Sequence, residues 1–338
     1  FLTSIQENAV RPIKPVFLDF KKDMSQLTAK SDIPVLYKQN TTNDLFQLIY
    51  VFDMGNNNDK ALGTAFDYLE YLGTSDMTPE ELKSEFYRLA CTFYVSPGNE
   101  RTYVVLSGLN ENMPAAMQLF EKLLADAQVN KEAYDNLVGD ILKARADAKL
   151  NQGQNFSRLM NYAMYGPKSP ATNLLTEAEL ASMNPQKLVD RIHNQNNYKH
   201  RILYYGPSSS KDLLATIDQY HQVPATLKDI PAGNEFSYLE TPATKVLVAP
   251  YEAKQIYMAQ ISNLDKKYDP AIEPTRELYN EYFGGGMNSI VFQEMRETRG
   301  LAYSAWAGIM PPSYLKYPYT IRTQIATQND KMIDAVMR

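Results

Sequence analysis

The spacing of apolar and polar residues changes period repeatedly along this chain, and each change predicts an element. "DLFQLIYVFDMG" (Asp44–Gly55) alternates, as expected of a strand with one covered face. The next stretch, "KALGTAFDYLEYLGT", is spaced as a helix, and "TPEELKSEFYRLACTFYVS" reads as a second helix. A strand, "RTYVVLSGL", and a helix, "NENMPAAMQLFEKLLAD", complete the series. From Lys254 the same order returns. "KQIYMAQISNL" reads as strand, "PTRELYNEYFGGG" as helix, "NSIVFQEMRETRGLAYSAW" as helix then strand, "YPYTIRTQIAT" as strand and "QNDKMIDAVMR" as the start of a helix. Self-similarity over so long a period marks a repeated structural unit.

The first copy continues with a long helical tract, "NKEAYDNLVGDILKARADAKLNQGQNFSRLMNYAMYG", and a further helix, "TEAELASMNPQKLVDRIHNQ". A strand, "HRILYYGPSS", and a helix, "KDLLATIDQYHQV", follow. Residues 224–243 carry Pro224, Pro231 and Pro242 with little periodicity and read as a linker. The pattern predicts an α+β protein of two homologous domains, each an antiparallel sheet with helices packed on one face. The first would occupy 21–223 and the second 244–338, the latter incomplete. Residues 1–20 read as a lead-in from an upstream domain.

Bulk composition narrows the class without naming a partner. With 338 residues, 44% of them hydrophobic and 22% charged, the chain has the make-up of a folded protein of about two domains. A formal charge of −5 and the lack of any long like-charge block argue against a nucleic-acid surface. The single cysteine, Cys91, excludes an intrachain disulfide and a cysteine zinc site, and reads as a small core residue. No apolar run is long enough for a membrane span. The chain opens on Phe1 and stops inside an amphipathic pattern, which reads as a piece of a longer protein. The compartment stays open, because a signal peptide would lie upstream.

The obvious catalytic clusters are missing. Three histidines, His193, His200 and His221, form no H-x-x-E-H or H-E-x-x-H, and each reads as a surface or capping residue. There is no G-x-S-x-G. "GGGMNS" lacks the lysine of a phosphate loop and follows a helix instead of a strand. Its glycines read as a left-handed helix end that turns the chain into the next helix.

One segment carries a specific resemblance. "FGGGMNSIVFQEMRETRGLAYS" closely resembles the stretch in peptidases of the pitrilysin, insulysin and mitochondrial processing peptidase family where a helix bears an arginine and a following strand bears a tyrosine seven positions on. Those positions are Arg296 and Tyr303. The resemblance implies repeated α+β units in two halves that close around a peptide. It implies an inverted zinc motif, H-x-x-E-H, on the first half, and a degenerate second half supplying the arginine and tyrosine. Here the motif's place falls in "GTAFDYLEYLGT", with Asp67, Glu70 and Tyr71 where two histidines and a glutamate would stand. The helical stretch "YDNLVGDILKARADAK", which would offer the third ligand, contains no glutamate. The chain therefore looks like the metal-free half, with no cofactor of its own and zinc expected on the complementary half.

Peptide hydrolysis at zinc develops negative charge on the scissile carbonyl oxygen, and an arginine fork and a phenol are suitable preorganised donors. The expected function is the non-metal-bearing half of a zinc metalloendopeptidase. Arg296 and Tyr303 would serve substrate and transition-state binding at a zinc site elsewhere, and this piece alone would be inactive. The expected partners are an N-terminal zinc-bearing half, in the same polypeptide or a partner subunit, and peptide substrates. The alternative is a non-catalytic scaffold of the same fold, against which the retention of both Arg296 and Tyr303 argues. Arg299 is expected to face solvent or cap the helix end, Glu294 and Glu297 to form its polar face, and Asn288 or Ser289 to cap its start.

Overall fold

The computed structural model describes residues 14–15, 17–312, 315 and 317–337. Of the expected lead-in over 1–20, residues 1–13 and 16 lie outside the described residues. Asp19 then caps a short helix α1 (Phe20–Asp23), accepting from the Lys21 amide. Two compact units follow, one built from residues up to 134 and 182–233, the other from 135–181 and 234 onward.

The first unit is a six-stranded sheet covered by helices. Its strands are β1 (Ser25–Ala29), β2 (Ile33–Gln39), β3 (Leu45–Phe52), β4 (Cys91–Pro97), β5 (Thr102–Leu109) and β6 (Arg201–Gly206), in the spatial order β1-β2-β6-β3-β5-β4. Alternation works as expected in β3: Phe46, Leu48 and Tyr50 are buried, while Leu45 and Gln47 are exposed. Helix α2 (Leu62–Leu69) buries Leu62, Ala65, Phe66, Tyr68 and Leu69. Helix α3 (Pro79–Arg88) starts in a capping box, Thr78 with Glu81, which satisfies two otherwise orphan amides. Helix α4 (Met113–Asp126) lays Met113, Ala116, Met117, Phe120 and Leu124 into the core at helical spacing.

Helices α5 (Lys131–Lys149), α6 (Gln152–Tyr165), α7 (Glu177–Ser182), α8 (Gln186–Asn194) and α9 (Ser210–Tyr220) complete the middle of the chain. The second unit's sheet has three strands, β7 (Gln255–Lys267), β8 (Ser304–Met310) and β9 (Pro318–Gln328), in the order β7-β9-β8, all antiparallel. Its helices in this part are α10 (Glu273–Phe283), α11 (Ile290–Phe292) and α12 (Met332–Val336). The repeat is visible in the pairing, since β7, β8 and β9 reproduce the order of β3, β4 and β5. The α+β class and the repeated sheet-and-helix units are thus what the pattern predicted.

Several local expectations need correction. The predicted second helix stops at Arg88. Ala90 takes a left-handed φ of 49°, and "CTFYV" continues as β4, because its alternating β-branched and aromatic residues fit a pleated surface better than a helix. The first sheet is not wholly antiparallel: β6 returns from the helical excursion to lie between β2 and β3, parallel to β2. The long tract over 130–166 breaks in two, with Asn151 capping α6 by accepting from the Gln154 amide. Residues 135–181 pack in the second unit, where Phe156 meets Tyr257 edge-on at 5.7 Å and Gln152 Nε2 donates to the Gln255 carbonyl at 2.7 Å. Residues 224–243 contain no helix or strand beyond a single bridge at Lys228. Finally, His200 and His221 are buried and touch each other, so neither is a surface residue. No described helix is long and apolar enough to cross a membrane.

Candidate functional site

The segment from Tyr282 to Trp306 is held to the second sheet by backbone proximity and amide pairing. Asn280 on α10 exchanges two hydrogen bonds with Ile309 of β8, donating from Nδ2 to the carbonyl at 2.9 Å and accepting from the amide at 2.8 Å. Arg276 donates to the same carbonyl at 3.0 Å, and its guanidinium holds the Glu273 carboxyl below the usual carboxylate range. Gly284 ends α10 against β8 so closely that an added Cβ would lie 2.1 Å from the Ala307 carbonyl oxygen. Its φ is −143°, so the expected left-handed turn at the three glycines is not found. Close approach of two backbones is what demands glycine there. The left-handed residue of the segment is Gly300, at φ 57°, where the chain leaves the helix for β8.

Between these glycines the chain winds unevenly. Ser289 caps α11, accepting from the Phe292 amide, which selects one of the two expected caps. From Gln293 to Thr298 the helix widens into a π-helical turn, a form found mostly as short insertions at functional sites. Met295 points inward with Ala302, Ala305, Ile325 and Ala335. Its carbonyl accepts from the Leu301 and Ala302 amides at 2.8 and 3.3 Å, folding the chain back on itself. The Tyr303 amide donates to Ala326 in β9 at 2.9 Å, which fixes the start of β8.

This reversal brings Arg296 and Tyr303 together. The Arg296 guanidinium carbon lies 5.1 Å from the Tyr303 ring centroid and 5.0 Å from that of Phe292. Both distances are within the range of cation–π attraction, worth about 0.5–1 kcal/mol at an exposed site. Glu297 adds a loose ion pair at 3.5 Å, and the neighbouring Arg299, exposed at the end of the helix as expected, pairs with Glu294 at 2.5 Å. Arg296 keeps 42% of its side chain exposed and Tyr303 is 68% exposed. The result is a cation ordered by two rings with donors still open to an incoming acceptor, and a phenol at its edge. Sequence reasoning missed Phe292, although its i, i+4 spacing to Arg296 on a helix was a usable signal.

The degenerate motif stands on α2 and the turn after it. Asp67, Glu70 and Tyr71 are all exposed, beside the buried Tyr68 and Leu69. Partial desolvation, and then the Glu70 carboxylate, push the Asp67 carboxyl above its ordinary value. Among the described residues no group of three or more His, Cys, Asp or Glu is placed to hold a metal ion.

Residues 201–338 match the family described as the peptidase M16 inactive domain. Over this stretch the chain is similar to the peptidase M16 inactive domain. Similarity to zinc proteases extends further along the chain. An uncharacterized zinc protease of Rickettsia felis is 21% identical over 263 residues, covering 74% of this chain and 60% of the relative. One of Streptomyces coelicolor is 24% identical over 267 residues, covering 73% and 56%. The chain therefore spans little more than half the length of these relatives. Among solved structures, the periplasmic protease PqqL of Escherichia coli superposes with a TM-score of 0.77 at 14% identity, over 95% of this chain and 36% of its own. A peptidase M16 inactive domain of Pseudomonas fluorescens gives 0.71 at 17%, over 93% and 77%. The ferredoxin protease FusC, solved with Arabidopsis ferredoxin, gives 0.75 at 10%, over 98% and 38%. These likenesses show the fold.

Proposed function

We propose that this chain is the metal-free half of a zinc metalloendopeptidase, closing around peptide and presenting Arg296 and Tyr303 to a zinc site on a complementary half. The supporting observation is the Arg296 guanidinium 5.0 Å from the Phe292 ring and 5.1 Å from the Tyr303 ring, yet open to solvent. Ordering the cation in advance lowers the entropy lost when it meets a carbonyl or carboxylate, and charge-assisted hydrogen bonds contribute roughly 1.5–3 kcal/mol. Tyr303 offers a neutral O–H donor at the same edge. The complex of FusC with ferredoxin is an example of a similar fold engaging a protein, and here a polypeptide substrate is proposed by that analogy.

The test uses the full-length protein with its zinc-bearing half. Arg296→Ala and Tyr303→Phe should each lower kcat/KM about tenfold or more, in line with one lost charge-assisted or neutral donor, at unchanged zinc content. Wild-type kcat/KM in both variants would remove the catalytic reading and leave the scaffold one.

A further inference from the structure

Behind the first sheet lies a buried chain of titratable groups that the proposed site does not use. Glu121 on α4 is 1% exposed and His221, at the C-terminal cap of α9, is 0% exposed. His221 Nδ1 stands 2.6 Å from Glu121 Oε1, and the same oxygen accepts from the Tyr50 hydroxyl of β3 at 3.0 Å. Glu121 Oε2 accepts from Asn196 Nδ2 at 2.9 Å and from the Gln222 amide at 3.1 Å. His221 Nε2 lies 2.9 Å from His200 Nε2, and His200 Nδ1 lies 2.7 Å from the Tyr198 carbonyl oxygen. The chain thus ties α4, α9, β3 and the approach to β6 at one point.

Donor and acceptor rules settle the protons. A carbonyl oxygen only accepts, so His200 carries its proton on Nδ1 and offers a lone pair at Nε2. His221 must then donate from Nε2 to His200, while a proton lies between its Nδ1 and Glu121 Oε1. A second proton on His200 would set N–H against N–H at 2.9 Å and place a new charge in the core. The closed arrangement and a charged His200 exclude each other.

We propose that the Glu121–His221–His200 chain is a pH-sensitive latch, closed while His200 is neutral and opened by its protonation, which frees the end of α9 from α4 and β3. The charged neighbours of His200 along the chain do not compensate it, since Lys199 pairs with Asp229 and Arg201 with Asp53. Glu121, which faces the pair from α4, is already engaged by His221, and the Tyr50 hydroxyl, from β3, is spent on Glu121. Burial, and then His221, push the His200 value down from 6.5 to about 4. The sign follows: a histidine depressed in the folded state contributes stability that is complete above its ordinary value and is lost as pH falls towards the depressed one. One extra proton taken up by the open form shifts the closed-to-open ratio by up to about tenfold per pH unit in that window.

Hydrogen exchange of the full chain, corrected for the intrinsic pH effect, should show segments 195–201 and 217–223 losing protection first as pH falls from 7 to 4.5. In the same window the unfolding constant of the wild type should rise with pH decrease about tenfold per unit more steeply than that of His200→Gln. Equal slopes in the two proteins, or opening that is uniform across the first unit, would overturn the latch. Should His200→Gln not fold, side-chain nitrogen NMR of the wild type decides. A neutral His200 at pH 5.5 is expected, and an imidazolium there refutes the proposal.

Discussion

At Gly284 and Gly300 the same residue type answers two different demands. Gly284 has an unremarkable φ, and what excludes a side chain is the Ala307 backbone, with an added Cβ 2.1 Å from its oxygen and 2.6 Å from its nitrogen. Gly300 is the reverse case: nothing lies within 4 Å, but φ is 57°. Overpacking typically costs about 1–3 kcal/mol and a left-handed alanine about 1–2 kcal/mol, but an added Cβ 2.1 Å from a backbone oxygen is too close for the site to absorb without moving β8. Gly284→Ala should therefore lower the unfolding free energy more than Gly300→Ala. Urea denaturation of the two variants measures it, and a larger loss for Gly300→Ala would disprove this assignment. The presence of a glycine cluster could be seen in the sequence, but which glycine did which job could not, because close approach depends on a strand some twenty residues away along the chain.

Strands β3 and β7 occupy the same place in the repeat with different neighbours. β3 is paired with β5 on one side and β6 on the other, and five of its residues are buried. β7 is paired with β9 alone and has no buried residue. An edge strand leaves half its amides facing away from its partner. Amide exchange should accordingly be slowest in β3, with alternate residues of β7 exchanging at least tenfold faster; uniform protection along β7 would contradict the pairing. Both strands were read from alternation, which reports that a strand exists and which faces differ. β4 was missed because "CTFYV" directly continues an amphipathic helix, and only the left-handed Ala90 separates the two. The parallel β2–β6 pair was equally out of reach, since alternation carries no information on direction.

For the molecule as a whole, the absence of a ligand cluster among the described residues and the M16 inactive-domain match lead to one expectation. Titrated with zinc, this chain should take up no stoichiometric metal and should cleave no peptide alone. One tightly held zinc per chain, measured by metal analysis after dialysis, would reverse the assignment of halves. The sequence alone determined the α+β class, the internal repeat and the Arg296 and Tyr303 segment, because periodicity and a contiguous motif are local properties of the chain. Only tertiary structure decided that Arg296 lies near two rings, that residues 135–181 pack in the second unit, and that Glu121, His200 and His221 meet in the core. Those contacts join residues far apart along the chain, and no local spacing encodes which distant partner a folded backbone will bring within hydrogen-bonding distance.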